Sequence, residues 1–321
     1  MSKAEIIITR PLPLPTEDFE QHFTVHRLWE ADSPDRLIEE VGPRVRALAW
    51  NGPGQLDAAW MSRLPALEII ANFGVGYDSV DAAEAHRRGV IVTNTPDVLT
   101  EDVADLTLGL LLSTVRRLPW ADHHVRTGLW SSAPFPLSAS LQNRRVGIIG
   151  LGKIGKAIAR RCEAFNLEIL YHGRKPQPDV SYGYRDTPVA LAKDVDVLIL
   201  AMPATPETQG LVNAQVLDAL GPDGFLINVA RGAVVDEDAL VAALQNGGIR
   251  GAGLDVFLNE PNPRKDLLAF DNVVVLPHIG SATGPTRRAM GQLMLDNLTQ
   301  WFDGRGPVTP VKETPWTPAG R

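Results

Sequence analysis

The sequence has few of the features that mark exported or membrane-bound proteins. It contains one cysteine, Cys162, which excludes an intrachain disulfide and is compatible with a reducing cytoplasm. Its longest apolar stretch, residues 106–115, is interrupted by Thr107, Ser113 and Thr114, and it is too short to span a bilayer. The N-terminus also lacks an apolar segment of signal-peptide length. We therefore expect a cytoplasmic protein without a membrane partner.

An excess of positive charge is missing as well. The formal net charge is -7, so the average surface does not attract nucleic acid or an anionic membrane, although a local basic pocket remains compatible with it. No metal site is expected either, because the adjacent His123 and His124 are interpreted as surface or interface residues. With 321 residues, 44% hydrophobic and 21% charged, the chain can form two ordinary globular domains.

Strand and helix patterns alternate along the chain, which is typical of an α/β protein with parallel sheets. Helices predicted near 100–117 and 286–302 connect two groups of strands. We predict two doubly wound parallel-sheet domains: a discontinuous one at 1–98 and 286–321, and one at 99–285, with a substrate cleft between them. The predicted strands are 5–9, 45–49, 69–72 and 90–93 in the first group, and 146–149, 168–171, 195–200, 224–228, 251–255 and 273–276 in the second.

Residues 146–155, Val-Gly-Ile-Ile-Gly-Leu-Gly-Lys-Ile-Gly, have the spacing of a dinucleotide-binding turn between a strand and a helix. In this interpretation Gly150 permits the tight turn and Gly152 leaves room for a pyrophosphate at the positive end of the helix. Gly155 lets the helix pack closely on the strand. The alternative is a tight turn without a ligand. The motif predicts a Rossmann nucleotide domain inserted in a flavodoxin-like substrate domain.

An acidic residue normally follows the next strand and binds the ribose hydroxyls of NAD. Here the chain runs through His172 to Gly173, Arg174 and Lys175, without a carboxylate. A guanidinium and an ammonium can instead hold a ribose 2'-phosphate, so the sequence favours NADP(H), with NAD(H) possible. The alternative is a solvated basic turn.

Three charged residues, Arg231, Glu260 and His278, each follow a predicted strand of the second group. Parallel strands present their carboxyl ends at one edge of a sheet, so these side chains can converge. Arg231 could hold a substrate carboxylate and polarise its carbonyl, and His278 could deliver a proton. Glu260 would stabilise the imidazolium. Taken singly, each residue also has a purely structural explanation.

A second glycine-rich segment, Asn-Phe-Gly-Val-Gly-Tyr-Asp at 72–78, ends a predicted strand of the first group. Its glycines free backbone N–H groups for an anion, so Val75 and Gly76 could bind the substrate carboxylate together with Arg231. The alternative is an ordinary turn with left-handed glycines.

Several motifs spread over nearly the whole chain resemble the D-isomer-specific 2-hydroxyacid dehydrogenase family. Within it the chain is most similar to the glyoxylate/hydroxypyruvate reductases and hydroxyphenylpyruvate reductases. The motifs are residues 72–78, Asn-Thr-Pro-Asp-Val-Leu-Thr-Glu-Asp-Val-Ala-Asp at 94–105, the glycine fingerprint, Val-Ala-Arg-Gly at 229–232, Ala-Gly-Leu-Asp-Val-Phe at 252–257 with Glu260, and Pro-His-Ile-Gly-Ser at 277–281.

The resemblance implies roles for particular residues. Arg231, Glu260 and His278 would be catalytic, and Val75, Gly76, Arg231 and Ser281 would bind substrate. Cofactor contacts would come from Gly150, Gly152, Lys153, Ile154, Gly155, Gly173, Arg174, Lys175, Val229, Asp255 and Gly280. The resemblance also implies a homodimer, with residues 118–130 as an interface arm. Trp130 or Phe135 would be an aromatic that enters the partner's active site, and a structural role is the alternative for Trp130.

The function expected from these features is NADPH-dependent reduction of a small 2-oxo acid, glyoxylate or hydroxypyruvate. The product would be the 2-hydroxy acid, as the D-isomer where it is chiral. A larger substrate such as hydroxyphenylpyruvate, or another 2-oxo acid, is the first alternative. A non-catalytic, dinucleotide-sensing scaffold similar to transcriptional corepressors is the second.

Overall fold

A computed structural model describes residues 3–52 and 54–317. The chain divides into two compact units, one formed by residues up to Leu99 together with those from Ala282 onward, and the other by Thr100–Ser281. We call them the outer unit and the inserted unit. The first boundary lies one residue later than predicted, 99 against 98, and the second four residues earlier, 282 against 286. The assignment of substrate and cofactor binding to these units stays a prediction.

Twelve strands lie within the described residues, and every pairing between them is parallel. The strands are β1 (Glu5–Ile8), β2 (Thr24–Arg27), β3 (Val45–Trp50), β4 (Ile69–Asn72), β5 (Ile91–Thr93), β6 (Arg145–Ile149), β7 (Glu168–His172), β8 (Gly183–Arg185), β9 (Val197–Leu200), β10 (Phe225–Asn228), β11 (Gly251–Leu254) and β12 (Val273–Val275).

The described residues also form twelve α-helices and four short 3-10 helices. The α-helices are α1 (Thr16–Glu20), α2 (Pro34–Val41), α3 (Ala58–Ser62), α4 (Ala82–Arg87), α5 (Thr100–Arg116), α6 (Leu118–Arg126), α7 (Lys153–Ala164), α8 (Pro188–Lys193), α9 (Ala214–Leu220), α10 (Glu237–Gln245), α11 (Lys265–Leu268) and α12 (Gly284–Phe302). The 3-10 helices are Leu28–Glu30, Gly42–Arg44, Leu129–Ser131 and Gly232–Val234. No described helix combines the length and the apolar character needed to cross a membrane.

The outer unit contains a five-stranded sheet in the order β2-β1-β3-β4-β5, which is the flavodoxin-like order. Successive side chains of a strand point to opposite faces, so the apolar runs of β1, β3 and β4 supply two cores. On one face they pack against α1 and α12, where Phe19, Met294 and Leu298 are buried. On the other face they pack against α2, α3 and α4.

The inserted unit contains a seven-stranded sheet in the order β12-β11-β10-β9-β6-β7-β8. The chain order reverses between β6 and β9, the switch point at which doubly wound sheets bind ligands. Helices α5 and α7 cover one face, and α8, α9 and α10 cover the other. The predicted α/β class with two doubly wound parallel sheets is confirmed.

Two edge strands, β2 and β8, were not predicted. Their sequences, Thr-Val-His-Arg and Gly-Tyr-Arg, are short and polar, and their side chains are exposed or half-buried. An edge strand pairs on one side only, so it can lack the apolar run that marks a central strand, as β2 and β8 do, whereas the edge strands β5 and β12 keep one. The helix predicted at 286–302 begins earlier, at Gly284, because the Thr283 hydroxyl accepts a hydrogen bond from the Thr286 N–H at 3.3 Å and caps it.

Candidate active site

The three fingerprint glycines lie at the end of β6 and the start of α7. Gly150 has a φ of +95°, and a Cβ there would stand 2.7 Å from the Met202 nitrogen. A Cβ on Gly155 would stand 2.2 Å from the Gly150 carbonyl oxygen, whereas a Cβ on Gly152 would meet nothing within 4 Å. Gly150 and Gly155 are therefore required by the fold itself. Gly152 instead borders open space at a helix N-terminus, which fits a dinucleotide pyrophosphate.

The basic turn after β7 carries charge that no described residue neutralises. Arg174 and Lys175 are exposed, and no ion pair joins either of them to a described residue. The turn is held in place by its backbone, because the Tyr184 hydroxyl donates to the Gly173 carbonyl oxygen at 3.2 Å. The Gln177 amide nitrogen also donates to the Leu151 carbonyl oxygen, at 2.8 Å. Two cations without an ion-pair partner in the described part of the chain, on an anchored turn, fit the ribose 2'-phosphate of NADP(H).

His278 follows β12 and lies against Glu260. Its Nδ1 is 2.7 Å from Glu260 Oε2. An ionised carboxylate only accepts hydrogen bonds, so Nδ1 is the donor, and Nε2 is left for another partner. No described residue bonds to Nε2. The backbone of His278 is fixed as well. Its N–H donates to the Asp255 carbonyl oxygen at 2.9 Å, and the residue has a φ of +54°.

Glu260 is kept ionised by its neighbours. Burial opposes its charge, but the hydrogen bond from His278, a second one from the Phe257 N–H at 3.0 Å, and the charge of Arg231 outweigh burial and lower the pKa of Glu260. Its side chain is 33% exposed and that of His278 is 45% exposed. The His278–Glu260 hydrogen bond, and the close approach of Gly232, next to Arg231, to the Phe257 backbone, bring the three predicted residues to one region of the inserted unit.

The turn that carries Arg231 is built by Asn228. Asn228 is 1% exposed, and its side-chain amide donates to the Arg231 carbonyl oxygen at 2.9 Å while its oxygen accepts from the Ala230 N–H at 3.0 Å. The turn lies directly on the loop before Glu260, because a Cβ on Gly232 would stand 1.8 Å from the Phe257 carbonyl carbon. Sequence reasoning gave Asn228 no role, although an Asn that follows a buried strand is a common turn builder.

Asp255 is 1% exposed and holds the loop that carries His278. Its two carboxylate oxygens accept hydrogen bonds from the Ile279 and Gly280 N–H groups, at 2.8 and 2.9 Å. Burial raises the pKa of Asp255, and the two N–H groups and His278 oppose that shift. The contact of Asp255 with a nicotinamide stays a prediction. Asp255 does accept hydrogen bonds from the backbone N–H groups of residues 278–280 and so fixes this segment. Gly280 is buried against it.

In the outer unit, the carbonyl oxygens of the 74–76 loop are all tied to neighbouring amides. The Asn72 amide donates to the Gly74 and Gly76 oxygens at 3.3 and 3.0 Å, and the Asn94 amide donates to the Val75 oxygen at 2.8 Å. No described residue accepts a hydrogen bond from the N–H of Val75 or Gly76. The loop therefore presents two N–H groups, as an anion site requires. Sequence reasoning missed both asparagine side chains.

The loop is also tied to the C-terminal segment. The Tyr77 hydroxyl donates to Glu313 Oε2 at 2.8 Å. Burial, with the hydrogen bond and the charge of Glu313, raises the pKa of Tyr77 to about 12. This contact joins positions 236 residues apart and carries no local sequence signal.

The remaining predicted positions are placed as follows. Lys153 and Ile154 open α7, Val229 follows β10, and Ser281 is the last residue of the inserted unit. Trp130 is 68% exposed, whereas Phe135 is half-buried and packs edge-on against His124. Among the described residues no group of three His, Cys, Asp or Glu side chains could hold a metal ion.

Comparison with known proteins identifies the family. The profile of the D-isomer specific 2-hydroxyacid dehydrogenase, NAD binding domain, matches residues 108–280. The chain is 46% identical over 294 residues to a glyoxylate/hydroxypyruvate reductase A of Arabidopsis thaliana, and the match covers 92% of this chain and 94% of that protein. This chain belongs to the D-isomer specific 2-hydroxyacid dehydrogenase family. It is therefore an oxidoreductase, as the sequence predicted, rather than the non-catalytic scaffold that was the second alternative.

Two further members of the family show how close the resemblance is. A hydroxyphenylpyruvate reductase of Plectranthus scutellarioides is 44% identical, over 92% of this chain and 94% of that protein. The crystal structure of an NADPH-dependent glyoxylate/hydroxypyruvate reductase of Sinorhizobium meliloti, in complex with NADP and malonate, is 47% identical. It superposes with a TM-score of 0.92 and covers 100% of both chains. The resemblance read from the motifs is confirmed.

Proposed function

We propose that this 2-hydroxyacid dehydrogenase reduces glyoxylate and hydroxypyruvate with NADPH, and yields the D-isomer where the product is chiral. The observation that carries the proposal is the His278–Glu260 pair. Its 2.7 Å hydrogen bond occupies Nδ1 and leaves Nε2 for a substrate oxygen. The pair lies at the carboxyl edge of the sheet that also bears the dinucleotide turn, where α/β enzymes bind their ligands.

The side chains act on the carbonyl of the substrate. Arg231 would bind the carboxylate and polarise the adjacent carbonyl group through charge-assisted hydrogen bonds. His278, protonated on both nitrogens, would give its Nε2 proton to the carbonyl oxygen, and Glu260 would stabilise the imidazolium until that transfer. When bound, the nicotinamide supplies a hydride to the carbonyl carbon. One hydride and one proton convert the 2-oxo acid to the 2-hydroxy acid.

Backbone groups would complete substrate binding. The N–H groups of Val75 and Gly76 would hold the carboxylate, because the carbonyl oxygens on either side of them already bond to Asn72 and Asn94. The Ser281 hydroxyl would donate to a polar substituent of the substrate. These roles are inferred from the chemistry of the groups.

The cofactor would be held along β6, α7 and β7. The pyrophosphate would lie at Gly152, Lys153 and Ile154, and the 2'-phosphate at Gly173, Arg174 and Lys175. Val229, Asp255 and Gly280 would face the nicotinamide half. NADP(H) would be preferred because no described residue neutralises Arg174 and Lys175, and NAD(H) would remain usable through the glycine turn itself.

A larger substrate is the second candidate function. Hydroxyphenylpyruvate is favoured by the 44% identity to the reductase that is named for it. Both candidates share the 2-oxo acid group and the trio, and they differ in the space that the substrate side chain needs.

The assembly and location are proposed on separate grounds. The segment 118–137 exposes Leu118, Val125, Leu129, Trp130 and Leu137, and such an apolar surface is typical of an interface. We propose a homodimer formed through this segment, with Trp130 as the aromatic offered to the partner because Phe135 is already packed. Size-exclusion chromatography with light scattering tests it. A cytoplasmic location is proposed from the single, buried Cys162.

Steady-state kinetics test the proposal. Purified protein is assayed with NADPH and with NADH against glyoxylate, hydroxypyruvate, phenylpyruvate and hydroxyphenylpyruvate. We expect the highest kcat/KM for glyoxylate or hydroxypyruvate with NADPH. Equal efficiency with NADH would overturn the cofactor preference, and a higher kcat/KM for the aryl substrates would establish the second candidate. Chiral chromatography of the product from hydroxypyruvate decides the stereochemistry.

A further inference from the structure

Arg287 is a half-buried cation without a counter-ion among the described residues. It lies in the first turn of α12, and its guanidinium carbon stands 5.4 Å from the centre of the Phe73 ring. No described residue forms an ion pair or a hydrogen bond with its side chain. Burial lowers the pKa of Arg287, and no neighbouring carboxylate opposes that shift. An arginine side chain nevertheless stays charged at neutral pH.

Other partly buried arginines of the outer unit are neutralised. Arg63 pairs with Asp35 at 2.8 Å, and Arg27 pairs with Glu20 at 2.6 Å. Arg46 is exposed, but it also stacks on a ring: it lies 4.8 Å from the Phe302 ring and pairs with Glu68 at 2.6 Å. In the outer unit, Arg46 thus has both a ring and a carboxylate as partners, whereas Arg287 has only a ring among the described residues.

This arrangement costs stability. A desolvated cation without a partner is unfavourable, and the first turn of a helix is the positive end of its dipole. The ring of Phe73 offsets only part of this cost, since a cation–π contact contributes about 0.5–2 kcal/mol. The missing partner is therefore expected to be an anion that the protein binds.

The position of Phe73 indicates which anion. Phe73 directly precedes Gly74, in the loop whose Val75 and Gly76 N–H groups have no acceptor among the described residues. The acid that contacts this loop, Glu313, is already engaged by the Tyr77 hydroxyl and by Lys312 at 3.4 Å. The guanidinium, which has no ion-pair partner among the described residues, thus lies against the residue that leads into this loop.

We propose that Arg287 is a positioning residue of the substrate site, which supplies counter-charge to the carboxylate held at Val75 and Gly76 and holds their loop through Phe73. The inference rests on the proposed function and deepens it. It makes a small anionic acid the preferred ligand of this region, over a neutral carbonyl compound of the same size.

The test compares charge with shape. Oxamate, an anion, and oxamide, its neutral counterpart, are titrated calorimetrically into the NADPH-loaded wild type, Arg287→Gln, Arg287→Lys and Arg288→Gln. Arg288 is the matched control, because it is the exposed neighbour on the same helix. We expect Arg287→Gln to weaken oxamate binding about tenfold and leave oxamide binding unchanged, from Coulomb attraction over several ångströms. Arg287→Lys should recover most of the affinity, and Arg288→Gln should match the wild type.

Kinetics provide the second readout. In Arg287→Gln the KM for glyoxylate should rise about tenfold while the KM for NADPH and kcat change little. Equal weakening of oxamate and oxamide would show that Arg287 only packs against Phe73 and would overturn the inference, as would unchanged oxamate binding. If Arg287→Gln does not fold, loss of oxamate affinity in Arg287→Lys with a wild-type Tm would also overturn it. If the wild type does not reduce glyoxylate, the proposed function is wrong, but the role of Arg287 in anion binding is still tested, because the binding comparison does not depend on turnover.

Discussion

Within the inserted unit, the turns after β6 and β7 differ from the turns after β10, β11 and β12 in where their polar groups go. After β6 and β7, the space beside Gly152 is open and the charges of Arg174 and Lys175 have no partner among the described residues. After β11 and β12, both oxygens of Asp255 and the Nδ1 of His278 are bonded within the chain. We call these two regions the cofactor edge and the acid–base edge.

We interpret this difference as a separation of cofactor binding from proton transfer. At the cofactor edge the described residues leave space beside Gly152 and no counter-ion for Arg174 and Lys175, as a site for an anionic ligand would. At the acid–base edge the hydrogen bonds are complete within the chain, so His278 would meet a substrate in one tautomer and orientation. Variants of the first region should alter cofactor affinity, and variants of the second should alter turnover.

The largest effect is expected from His278→Ala. Loss of the proton donor should lower kcat about 100- to 10,000-fold and leave the Kd for NADPH within about threefold of the wild type. Pre-steady-state and steady-state rates with glyoxylate measure the first quantity, and fluorescence titration with NADPH measures the second. A near-normal kcat would remove His278 from the mechanism, and a parallel loss of NADPH affinity would erase the distinction between the two edges.

Two glycine substitutions distinguish the glycine that the fold requires from the glycine that leaves space for the cofactor. Gly155→Ala places a Cβ 2.2 Å from a backbone oxygen, so it should lower the Tm of the protein without cofactor. Gly152→Ala meets nothing within 4 Å, so its Tm without cofactor should stay unchanged while NADPH affinity falls about 100-fold. Differential scanning fluorimetry with and without NADPH distinguishes them. A normal NADPH shift in Gly152→Ala would show that the open space is not the pyrophosphate site.

The sequence predicts most of both edges because their signals are local. The spacing of Gly150, Gly152 and Gly155 lies within six consecutive residues, and Arg231 and His278 each follow a run of buried apolar residues. Parallel strands then bring such residues to one edge, whatever their separation along the chain. The central strands of both sheets were found for the same reason.

The supports of the site could not be predicted, because they depend on contacts between distant segments. Asn94 reaches the Val75 carbonyl oxygen, Glu313 reaches Tyr77, and Arg287 reaches Phe73 only once the sheet of the outer unit has formed. Asn228 is the exception, because its bonds to Ala230 and Arg231 are local. The edge strands β2 and β8 were missed because each is a short run without a buried residue.

Glu260→Gln sharpens the comparison at the acid–base edge. The amide keeps the size of the side chain and can still accept from the Phe257 N–H, but it loses the charge that stabilises the imidazolium. We expect kcat/KM to fall about 10- to 100-fold at neutral pH, measured with glyoxylate and NADPH. The matched control is Glu237→Gln, whose carboxylate accepts from the Leu258 N–H at 2.8 Å in the same loop. It should keep wild-type activity.

The same variant also tests the direction in which the stability contributed by Glu260 changes with pH. The pKa of Glu260 is lower in the folded protein than its ordinary value, so its ionised form stabilises the fold above the ordinary carboxyl pKa and that stability is lost as the pH falls. Urea unfolding midpoints of wild type and Glu260→Gln should therefore differ at pH 7, and the difference should shrink as the pH falls below the ordinary carboxyl pKa of about 4.3. A difference that grows on acidification would contradict the lowered pKa.

Arg174→Ala should give the smallest effect, about tenfold. Arg174 is exposed, and an exposed charge is screened by water and salt, so its contact with a 2'-phosphate contributes less than a buried one. The KM for NADPH should rise while the KM for NADH stays unchanged, and added salt should narrow the difference. Lys193→Ala is the control, since it removes an exposed cation from the end of α8 in the same unit. Equal losses for both cofactors would mean that Arg174 supports the turn rather than the phosphate, and the cofactor edge would then owe its selectivity to Lys175.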